Sequence, residues 1–316
     1  MRVLVTGGAG FIGSWTGEAL VEAGHDVMVY DSFVTGHAGY LGRVLDRVPV
    51  LRGDVRQALA LQRAVRRFQP HVIVHLAACV SVPLSLQRAL RSHDENTRGT
   101  LAVLEAARAH KVRRVVFASS AAVYGRNPAL PLSEETTPAP LSPYALHKLI
   151  GEQYARLYSE LYSLETVALR YFNVYGPRQD PASPYSGVIA RFAEAARAGK
   201  PVAITGDGTQ TRDFVFVGDV ARVNVAAATT ALGGHHVVNV GTGRETSLLE
   251  LRAAIEATMN RPLRHVFAPP RPGDVGRSRA NVRALQNLLG LSCTTSLADG
   301  LAALLTHQAQ EFRTTR

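Results

Sequence analysis

The chain has 316 residues, of which 46% are hydrophobic and 19% are charged, and its formal net charge is +10. Its length allows a large core, and its mean hydropathy of +0.02 is that of an ordinary soluble globular protein. No apolar run approaches the roughly 18 residues that a membrane-spanning helix needs. The arginines are spread along the chain without a basic tail, so neither a membrane protein nor a nucleic-acid-binding protein is expected.

The cysteines and the first strand bear on the cellular compartment. Cys79 and Cys293 are too few for a disulfide framework and show no metal-ligand spacing. A strand begins at residue 2, so no signal sequence precedes it. We expect a cytoplasmic protein with no metal site.

The first segment reads as a strand, a glycine turn and a helix. Residues 2–6 are a short apolar run rich in β-branched side chains, and a helical pattern continues to Ala23. Between them, Gly7 allows a tight turn, Gly10 lets the backbone approach a pyrophosphate, and Gly13 lets the helix pack closely on the strand. Spaced glycines in this context predict dinucleotide binding.

A second strand over residues 26–30 ends at Asp31. A carboxylate at this position accepts hydrogen bonds from the adenine ribose and repels a 2′-phosphate. Asp31 therefore favours NAD over NADP.

Strands and helices then alternate as far as residue 170. The further elements expected are strands near residues 48–51, 71–75 and 114–118 and helices over residues 57–68, 94–110 and 143–162. This alternation predicts an α/β fold with a doubly wound parallel sheet. His71 and His75 share one face of a strand, but no third metal ligand is in sight, so ordinary packing or hydrogen bonding is expected for them.

Chemistry is expected where the fifth strand meets the last of these helices. Ser119 and Ser120 end that strand, at the edge of the sheet where ligands bind in doubly wound folds. Tyr144 and Lys148 are four residues apart on a helix capped by Ser142, so their side chains share a face. A free tyrosine titrates near 10, and a neighbouring ammonium favours the phenolate, which makes Tyr144 a candidate general base.

The strict alternation breaks after Gly176. We expect residues 1–175 to form a dinucleotide-binding domain and residues 176–316 to form a smaller α/β substrate lobe. The lobe is predicted to contain a helix over residues 187–198 and a short strand within residues 199–208. Strands near residues 213–217 and 237–240 are expected to return to the main sheet, so segments of residues 210–242 belong with the first domain.

Six segments carry specific sequence motifs in this order: Thr6-Gly-Gly-Ala-Gly-Phe-Ile-Gly13, Ser119-Ser-Ala-Ala-Val-Tyr-Gly125, Tyr144 with Lys148, Arg170-Tyr-Phe-Asn-Val-Tyr-Gly-Pro-Arg178, Arg212-Asp-Phe-Val215 and Arg271-Pro-Gly-Asp274. Together they resemble the extended short-chain dehydrogenase/reductases, specifically the nucleotide-sugar 4-epimerases of the UDP-galactose epimerase type. The likeness covers essentially the full length. It implies a Rossmann-type fold, an NAD cofactor, a UDP-sugar substrate and a homodimer in which the helices over residues 94–110 and 144–162 pair.

The resemblance also implies roles for individual residues. The catalytic set is Ser120, Tyr144 and Lys148. Cofactor binding is assigned to Gly7, Gly10, Phe11, Ile12, Gly13, Asp31, Ser32, Asp54, Val55, Leu76, Ala77, Ala78, Asn96, Ser119, Tyr144, Lys148 and Tyr171. Substrate binding is assigned to Ser81, Ser120, Tyr144, Asn173, Val188, Thr205, Arg212, Arg271, Asp274 and Ser278. The planar fork of an arginine suits phosphate oxygens, which gives Arg212 and Arg271 a physical reason to be there.

The residues after the serine bear on the reaction. Dehydratases of this family usually carry an Asp-Glu pair there, and decarboxylating members resemble them in having a Glu at the second position, whereas this chain has Ala121 and Ala122. Without a carboxylate to move a second proton, elimination loses its catalyst. We therefore expect 4-epimerisation: Tyr144 takes the proton of the sugar 4-hydroxyl, hydride passes to NAD, and the 4-keto sugar turns and takes the hydride back on its other face.

UDP-glucose and UDP-galactose are the expected pair, and four alternatives stay open. The residue that lines the sugar pocket in this family is Ser278 here, and Ser81 begins a loop like that of members using N-acetylated sugars, so UDP-N-acetylglucosamine is a further substrate. UDP-glucuronate is another, because arginines such as Arg178 can meet a carboxylate. The remaining two are a nucleotide-sugar 4-reductase or oxidoreductase and a non-catalytic NAD(H)-sensing scaffold.

Overall fold

A computed structural model describes residues 1–180, 187–269 and 275–314, with side chains as far as residue 308. The strands are β1 Arg2–Thr6, β2 Asp26–Asp31, β3 Val50–Arg52, β4 Val72–His75, β5 Arg114–Ser120, β6 Glu165–Tyr171, β7 Asn173–Tyr175, β8 Val202–Thr205, β9 Thr211–Arg212, β10 Phe214–Phe216, β11 His235–Val240, β12 Thr246–Ser247 and β13 His265–Ala268. The helices are α1 Phe11–Glu22, α2 Ala58–Phe68, α3 Val82–Gln87, α4 Ala89–His93, α5 Gly99–Ala109, α6 Pro143–Tyr162, α7 Val188–Arg197, α8 Val217–Thr229, α9 Leu248–Met259, α10 Arg283–Leu289 and α11 Leu297–Thr314.

Seven parallel strands form the central sheet, in the order β3-β2-β1-β4-β5-β6-β11. The first six follow the order of a dinucleotide-binding doubly wound fold, with the strand order reversing beside β1. The α/β, Rossmann-type fold predicted from the sequence is confirmed. Because all seven strands run the same way, their carboxyl ends meet at one edge, where Gly7, Asp31, Leu76, Ser120 and Tyr171 lie close to the strand ends.

Alternating side chains of the strands divide the core into two layers. On β1, Val3 and Val5 pack in one cluster with Leu20 of α1 and Val220 of α8. Leu4, between them, packs in another cluster that contains residues of α2, α5 and α6. Successive side chains of a strand point to opposite faces, so these helices cover the two faces of the sheet.

The helix predicted over residues 94–110 ends at Ala109, one residue before the predicted end, and its helical backbone begins at Ala89, before the predicted start. A π-helical turn at Asp94–Arg98 joins α4 to α5, so helical backbone runs from Ala89 to Ala109. Helix α6 has the predicted bounds because Ser142 caps it, Pro143 occupies its first turn and Ser163 ends it in the left-handed conformation.

The C-terminal third forms a smaller α/β layer around its own cluster, with contributions from α7, β8, α9 and α11. Of the two segments expected to return to the main sheet, β11 pairs with β6 along its whole length. The other, β10, pairs instead with β7 in a two-stranded sheet, because the chain leaves the main sheet after Tyr171 and takes β10 as its new neighbour. The division of the chain at residue 175 stays a prediction. In the part of the chain described, none of the helices is long and apolar enough to cross a membrane.

Candidate active site

The glycine loop between β1 and α1 has room for a dinucleotide only because it lacks side chains. Gly7 has a φ of +72°, and a Cβ on it would lie 2.6 Å from the backbone nitrogen of Ala77. A Cβ on Gly13 would overlap the carbonyl oxygen of Gly7. Gly10 caps α1, and the residues of the first turn line a cavity, so the amides and the dipole of this helix end can receive a pyrophosphate.

Asp31 lies beside this loop, buried at the end of β2. Its Oδ2 accepts a hydrogen bond from the Ala9 amide at 2.9 Å, and its Oδ1 accepts one from the Phe33 amide at 2.7 Å. A carboxylate has about four lone-pair sites, so both oxygens can still accept from ribose hydroxyls. The glycine cradle and this carboxylate fit NAD, and a 2′-phosphate would be repelled.

Of three residues assigned to cofactor binding, Asp54 and Val55 line the cavity and Asn96 does not. Asp54 and Val55 line the cavity, and a hydrogen bond from Arg56 lowers the pKa of the Asp54 carboxyl. Asn96 lies behind the lining, where its Oδ1 accepts from the Cys79 amide at 2.8 Å and its Nδ2 donates to the Cys79 carbonyl at 2.9 Å. Asn96 thus orients the segment that follows β4.

Tyr144 and Lys148 are buried side chains on the first turns of α6. The Ser142 hydroxyl accepts from the Ala145 amide at 3.2 Å, and the Tyr144 amide donates to the Ser85 hydroxyl at 3.1 Å. Ser120 and Tyr144 line the same cavity, and the effect of Ser120 is to lower the pKa of the Tyr144 phenol. The Nζ of Lys148 lies 5.9 Å from the centre of the Tyr144 ring. The spacing seen in the sequence therefore brings Ser120, Tyr144 and Lys148 together.

Burial dominates the protonation of both groups. It raises the pKa of the Tyr144 phenol to about 12, although the hydrogen bond with Ser120 acts in the opposite direction. It also lowers the pKa of the Lys148 ammonium to about 8. The spacing of Tyr144 and Lys148 in the sequence predicts that the ammonium lowers the pKa of the phenol. Instead the ammonium donates to the Ala118 carbonyl at 2.7 Å and lies 5.1 Å from the centre of the Phe117 ring.

Glu152 is a residue that the sequence reasoning missed. It lies four residues after Lys148 on α6, and its carboxylate accepts a hydrogen bond from the Ser119 hydroxyl at 2.5 Å and a bidentate pair from Arg170. The signal that could have found it is the continuation of the Tyr144 and Lys148 spacing by one more turn.

His75 is held by two threonine hydroxyls. Its Nδ1 lies 2.7 Å from Thr6 Oγ1 and its Nε2 lies 3.1 Å from Thr100 Oγ1. Burial, with a smaller effect of the charge on Lys148, lowers the pKa of the imidazole to about 3. Among residues 1–180, 187–269 and 275–314, no group of three or more His, Cys, Asp or Glu side chains is arranged to hold a metal ion.

One cavity of about 1290 Å³ joins the glycine loop to Ser120, Tyr144 and Lys148 and continues into the smaller layer. Predicted residues that line it are Gly7, Gly10, Phe11, Ile12, Gly13, Asp31, Ser32, Asp54, Val55, Leu76, Ala77, Ala78, Ser81, Ser119, Ser120, Tyr144, Lys148, Tyr171, Asn173, Val188, Arg212 and Ser278. Its size and its shape suit a dinucleotide with a second ligand beside it.

Asp213 ties together the segments on the substrate side of this cavity. Its buried carboxylate accepts from the amides of Thr242, Gly243 and Ala280 and from the Thr242 hydroxyl, at 2.7 to 3.1 Å. Its carbonyl accepts from the Asn173 amide at 3.0 Å. Arg212 directly precedes Asp213 in the chain, and Ser278 lies two residues before Ala280. The Asp213 carboxylate therefore also holds the backbone that carries these two cavity residues.

Some predicted site residues lie elsewhere. Thr205 does not line the cavity: it ends β8, and its carbonyl accepts from Gln210 at 2.6 Å. Tyr171 lines the cavity, but its hydroxyl donates to Asn224 Oδ1 at 2.6 Å. Arg271 and Asp274 lie outside the described residues.

Arg178 also lines the cavity, but its guanidinium is paired. It lies 2.7 Å from a carboxylate oxygen of Glu18, 3.2 Å from the Ser14 hydroxyl and 5.2 Å from the centre of the Trp15 ring. Arg178 was expected to meet the carboxylate of a UDP-glucuronate substrate, but in the structure it pairs with the carboxylate of Glu18.

A glycine loop after the first strand of a doubly wound sheet, with serine, tyrosine and lysine on the same cavity, defines a short-chain dehydrogenase/reductase. A family model described as "NAD dependent epimerase/dehydratase family" matches residues 3–241. The chain belongs to this family, and NAD is its cofactor.

Known members of the family cover nearly the whole chain. The UDP-glucose 4-epimerase of Mycolicibacterium smegmatis is 43% identical over 305 residues, which are 96% of this chain and 96% of that protein. The UDP-glucose 4-epimerase of Thermus thermophilus, solved in complex with NAD, superposes with a TM-score of 0.89 at 39% identity and covers 97% of this chain and 98% of its own. The UDP-N-acetylglucosamine 4-epimerase of Methanobrevibacter ruminantium, solved with UDP-N-acetylmuramic acid, gives a TM-score of 0.93 at 33% identity and 98% coverage of both chains.

Proposed function

We propose that the protein is an NAD-dependent UDP-hexose 4-epimerase that interconverts UDP-glucose and UDP-galactose. The observation that carries this proposal is the meeting of Ser120, Tyr144 and Lys148 on the cavity of the glycine loop, with Ala121 and Ala122 in place of acidic residues. The similarity to UDP-glucose 4-epimerases supports the same substrate class.

The chain's own residues divide the proton transfer among them. Tyr144 takes the proton of the sugar 4-hydroxyl and returns it at the end of the cycle, while Ser120, on the same cavity, holds the same sugar oxygen. Lys148 donates to the Ala118 carbonyl, which holds its positive charge 5.9 Å from the centre of the Tyr144 ring. Bound at the loop of Gly7, Gly10 and Gly13, NAD would supply the hydride acceptor for C4 of the sugar and a positive charge that favours the phenolate.

Tyr144→Phe tests the catalytic assignment. We expect interconversion of UDP-glucose and UDP-galactose to fall by roughly 10²- to 10⁴-fold, because the variant lacks the group that moves the proton. Bound NAD and the Tm should stay near those of the wild type. Tyr162→Phe, the same change at the exposed end of α6, is the matched control and should keep full activity. Normal turnover by a folded Tyr144→Phe protein would refute the assignment.

The same preparation separates the enzymatic alternatives. An epimerase carries bound NAD and consumes none over many turnovers, whereas a 4-reductase or other net oxidoreductase needs added cofactor. A scaffold that only senses NAD(H) would bind the cofactor and turn over no UDP-sugar.

We further propose that the sugar pocket admits a 2-acetamido group. Ser278 and Ser81 are small side chains on the cavity, and the similarity to a UDP-N-acetylglucosamine 4-epimerase supports the wider substrate range. The case for UDP-glucuronate is weaker, because Arg178, which was expected to bind the sugar carboxylate, is paired with Glu18. Turnover of UDP-glucose, UDP-N-acetylglucosamine and UDP-glucuronate should be compared, and exclusive use of UDP-glucose would exclude the enlarged pocket.

A homodimer and residence in the cytoplasm are also proposed. The exposed side of α6 carries an apolar stripe formed by Leu146, Ile150, Leu157 and Leu161, with spacings of four, seven and four residues that place them on one face. We propose that α5 and α6 of a second copy of the chain pack against this stripe. The two free cysteines agree with a reducing compartment. Sedimentation of the purified protein and fractionation of cells that express it test the two points.

A further inference from the structure

Three consecutive residues at the end of β5 face three residues of α6. The Ala118 carbonyl accepts from Lys148 Nζ at 2.7 Å, the Ser119 hydroxyl donates to Glu152 Oε1 at 2.5 Å, and Ser120 lines the same cavity as Tyr144 and lowers the pKa of its phenol. The three helix residues are four apart, so they form one row along a single face of α6. The strand end and the helix are therefore joined in a fixed register.

Glu152 is the deepest member of this row and is itself held from the next strand. It is 2% exposed, and Arg170 of β6, which is 3% exposed, donates to its two oxygens at 2.9 and 2.7 Å. Arg170 is in turn fixed by the Glu134 carbonyl at 3.2 Å and by the Tyr124 ring, whose centre is 4.8 Å away. Bidentate pairs of this kind have little freedom to move.

We propose that Glu152, held by Arg170, is a positioning residue of the reaction centre: through the Ser119 hydroxyl it holds the end of β5 against α6 and so places Ser120 opposite Tyr144. This inference rests on the proposed function, in which Tyr144 and Ser120 act on the 4-hydroxyl of the sugar. A shift of about 1 Å in a reacting group can cost on the order of 100-fold in rate, so the row has a direct kinetic role.

The carboxylate has a second effect in the same place, on Lys148. The other titratable groups around this ammonium are His75 on β4, Cys79 after β4 and Tyr144 on its own helix. Burial lowers the pKa of His75 to about 3, raises the pKa of the Cys79 thiol and raises that of Tyr144 to about 12, so all three are uncharged at neutral pH. Burial has the largest effect on the Lys148 pKa and lowers it, whereas Cys79 and, to a smaller extent, Glu152 act to raise it; with the Cys79 thiol uncharged, the negative charge near the ammonium is that of Glu152, paired with Arg170 on β6.

The first test separates positioning from stability. Ser119→Ala removes the hydroxyl between the strand and Glu152 but keeps both members of the buried ion pair. Thr166→Val is the matched control, because the Thr166 hydroxyl joins β6 to the Ala155 carbonyl of α6 at 3.1 Å, away from the reaction centre. We expect Ser119→Ala to lower kcat about tenfold with KM for the UDP-sugar within about twofold, and Thr166→Val to keep kcat. A kcat for Ser119→Ala no lower than that of the control would overturn the proposal.

The second test reads Lys148 directly and requires no turnover. The chain has three lysines, Lys111, Lys148 and Lys200, so lysine labelled with ¹³C at Cε gives three signals, and Lys148→Met identifies one of them. Glu152→Gln keeps the side-chain volume and removes the charge. We expect the Lys148 titration midpoint to fall by about one pH unit, and to stay unchanged in Thr166→Val.

The outcomes distinguish this inference from the proposed function. An unchanged Lys148 midpoint in a folded Glu152→Gln protein counts against the role of Glu152. If Glu152→Gln does not fold, the kcat of Ser119→Ala decides. If the wild type interconverts no UDP-sugar, the proposed function fails, while the titration still tests the placement of Glu152 beside Lys148.

Discussion

Single residues differ in how much their local chemistry reveals. Gly13 and Gly17 lie four residues apart on α1, and both look like glycines inside a helix. A Cβ on Gly13 would overlap the Gly7 carbonyl, whereas a Cβ on Gly17 would meet no atom within 4 Å. The motif spacing identified Gly13 from the sequence, but only the packing shows that Gly17 is replaceable.

Substitution of these two glycines by alanine should have opposite results. We expect Gly13→Ala to lose at least tenfold in affinity for NAD and to unfold at a lower temperature, because the loop must shift away from the pyrophosphate site. Gly17→Ala should retain the cofactor and gain up to about 1 kcal/mol in stability, since alanine is favoured in helix interiors. Absorbance of the bound cofactor and the Tm measure both effects. Equal NAD retention by the two variants would contradict this view of the loop.

At the scale of an element, α6 serves two purposes on two faces. Its buried side carries Tyr144, Lys148 and Glu152 at intervals of four residues. Its exposed side carries the apolar stripe, in which Leu157 is 42% exposed and Leu161 is 66% exposed. An apolar stripe on a helix beside the reaction centre is costly to leave in water, which is why we assign it to contact with a second copy.

Leu157→Glu should therefore convert the proposed dimer to a monomer. A charge in the middle of an apolar contact between copies is unfavourable because both copies would bury it without a partner. Leu59→Glu on α2, where the leucine is 72% exposed, is the matched control and should leave the mass in solution unchanged. Sedimentation equilibrium measures both variants. A dimer that persists in Leu157→Glu, or a monomeric wild type, would rule out this interface.

For the whole molecule, buried histidines make stability depend on pH. The folded protein holds His75 neutral, with a pKa of about 3, and burial also lowers the pKa of His235 to about 4. An unfolded histidine titrates near 6.5. Between these values the unfolded chain binds more protons than the folded protein, so the free energy of unfolding falls as the pH falls.

Below about pH 6.5, we expect His75 to remove up to about 1.4 kcal/mol of stability per pH unit, down to its folded pKa of about 3. His75→Gln, which can still bond the two threonine hydroxyls, should reduce this slope between pH 6.5 and 4. His37→Gln at an exposed histidine should not change it. Urea unfolding at several pH values gives the slopes, and identical slopes in wild type and His75→Gln would disprove the assignment.

Features that depend on neighbours in the chain were determined by the sequence alone. The glycine loop, Asp31 at the end of β2, the cap and bounds of α6 and the shared face of Tyr144 and Lys148 follow from backbone conformation, capping and helical spacing. Contacts between distant residues were decided only by the tertiary structure. Glu152 with Arg170, Glu18 with Arg178, and β10 with β7 are such contacts, as is the orientation of the Lys148 ammonium towards Ala118. Their partners lie on different elements, and packing of those elements sets both their distance and the burial that governs their charge.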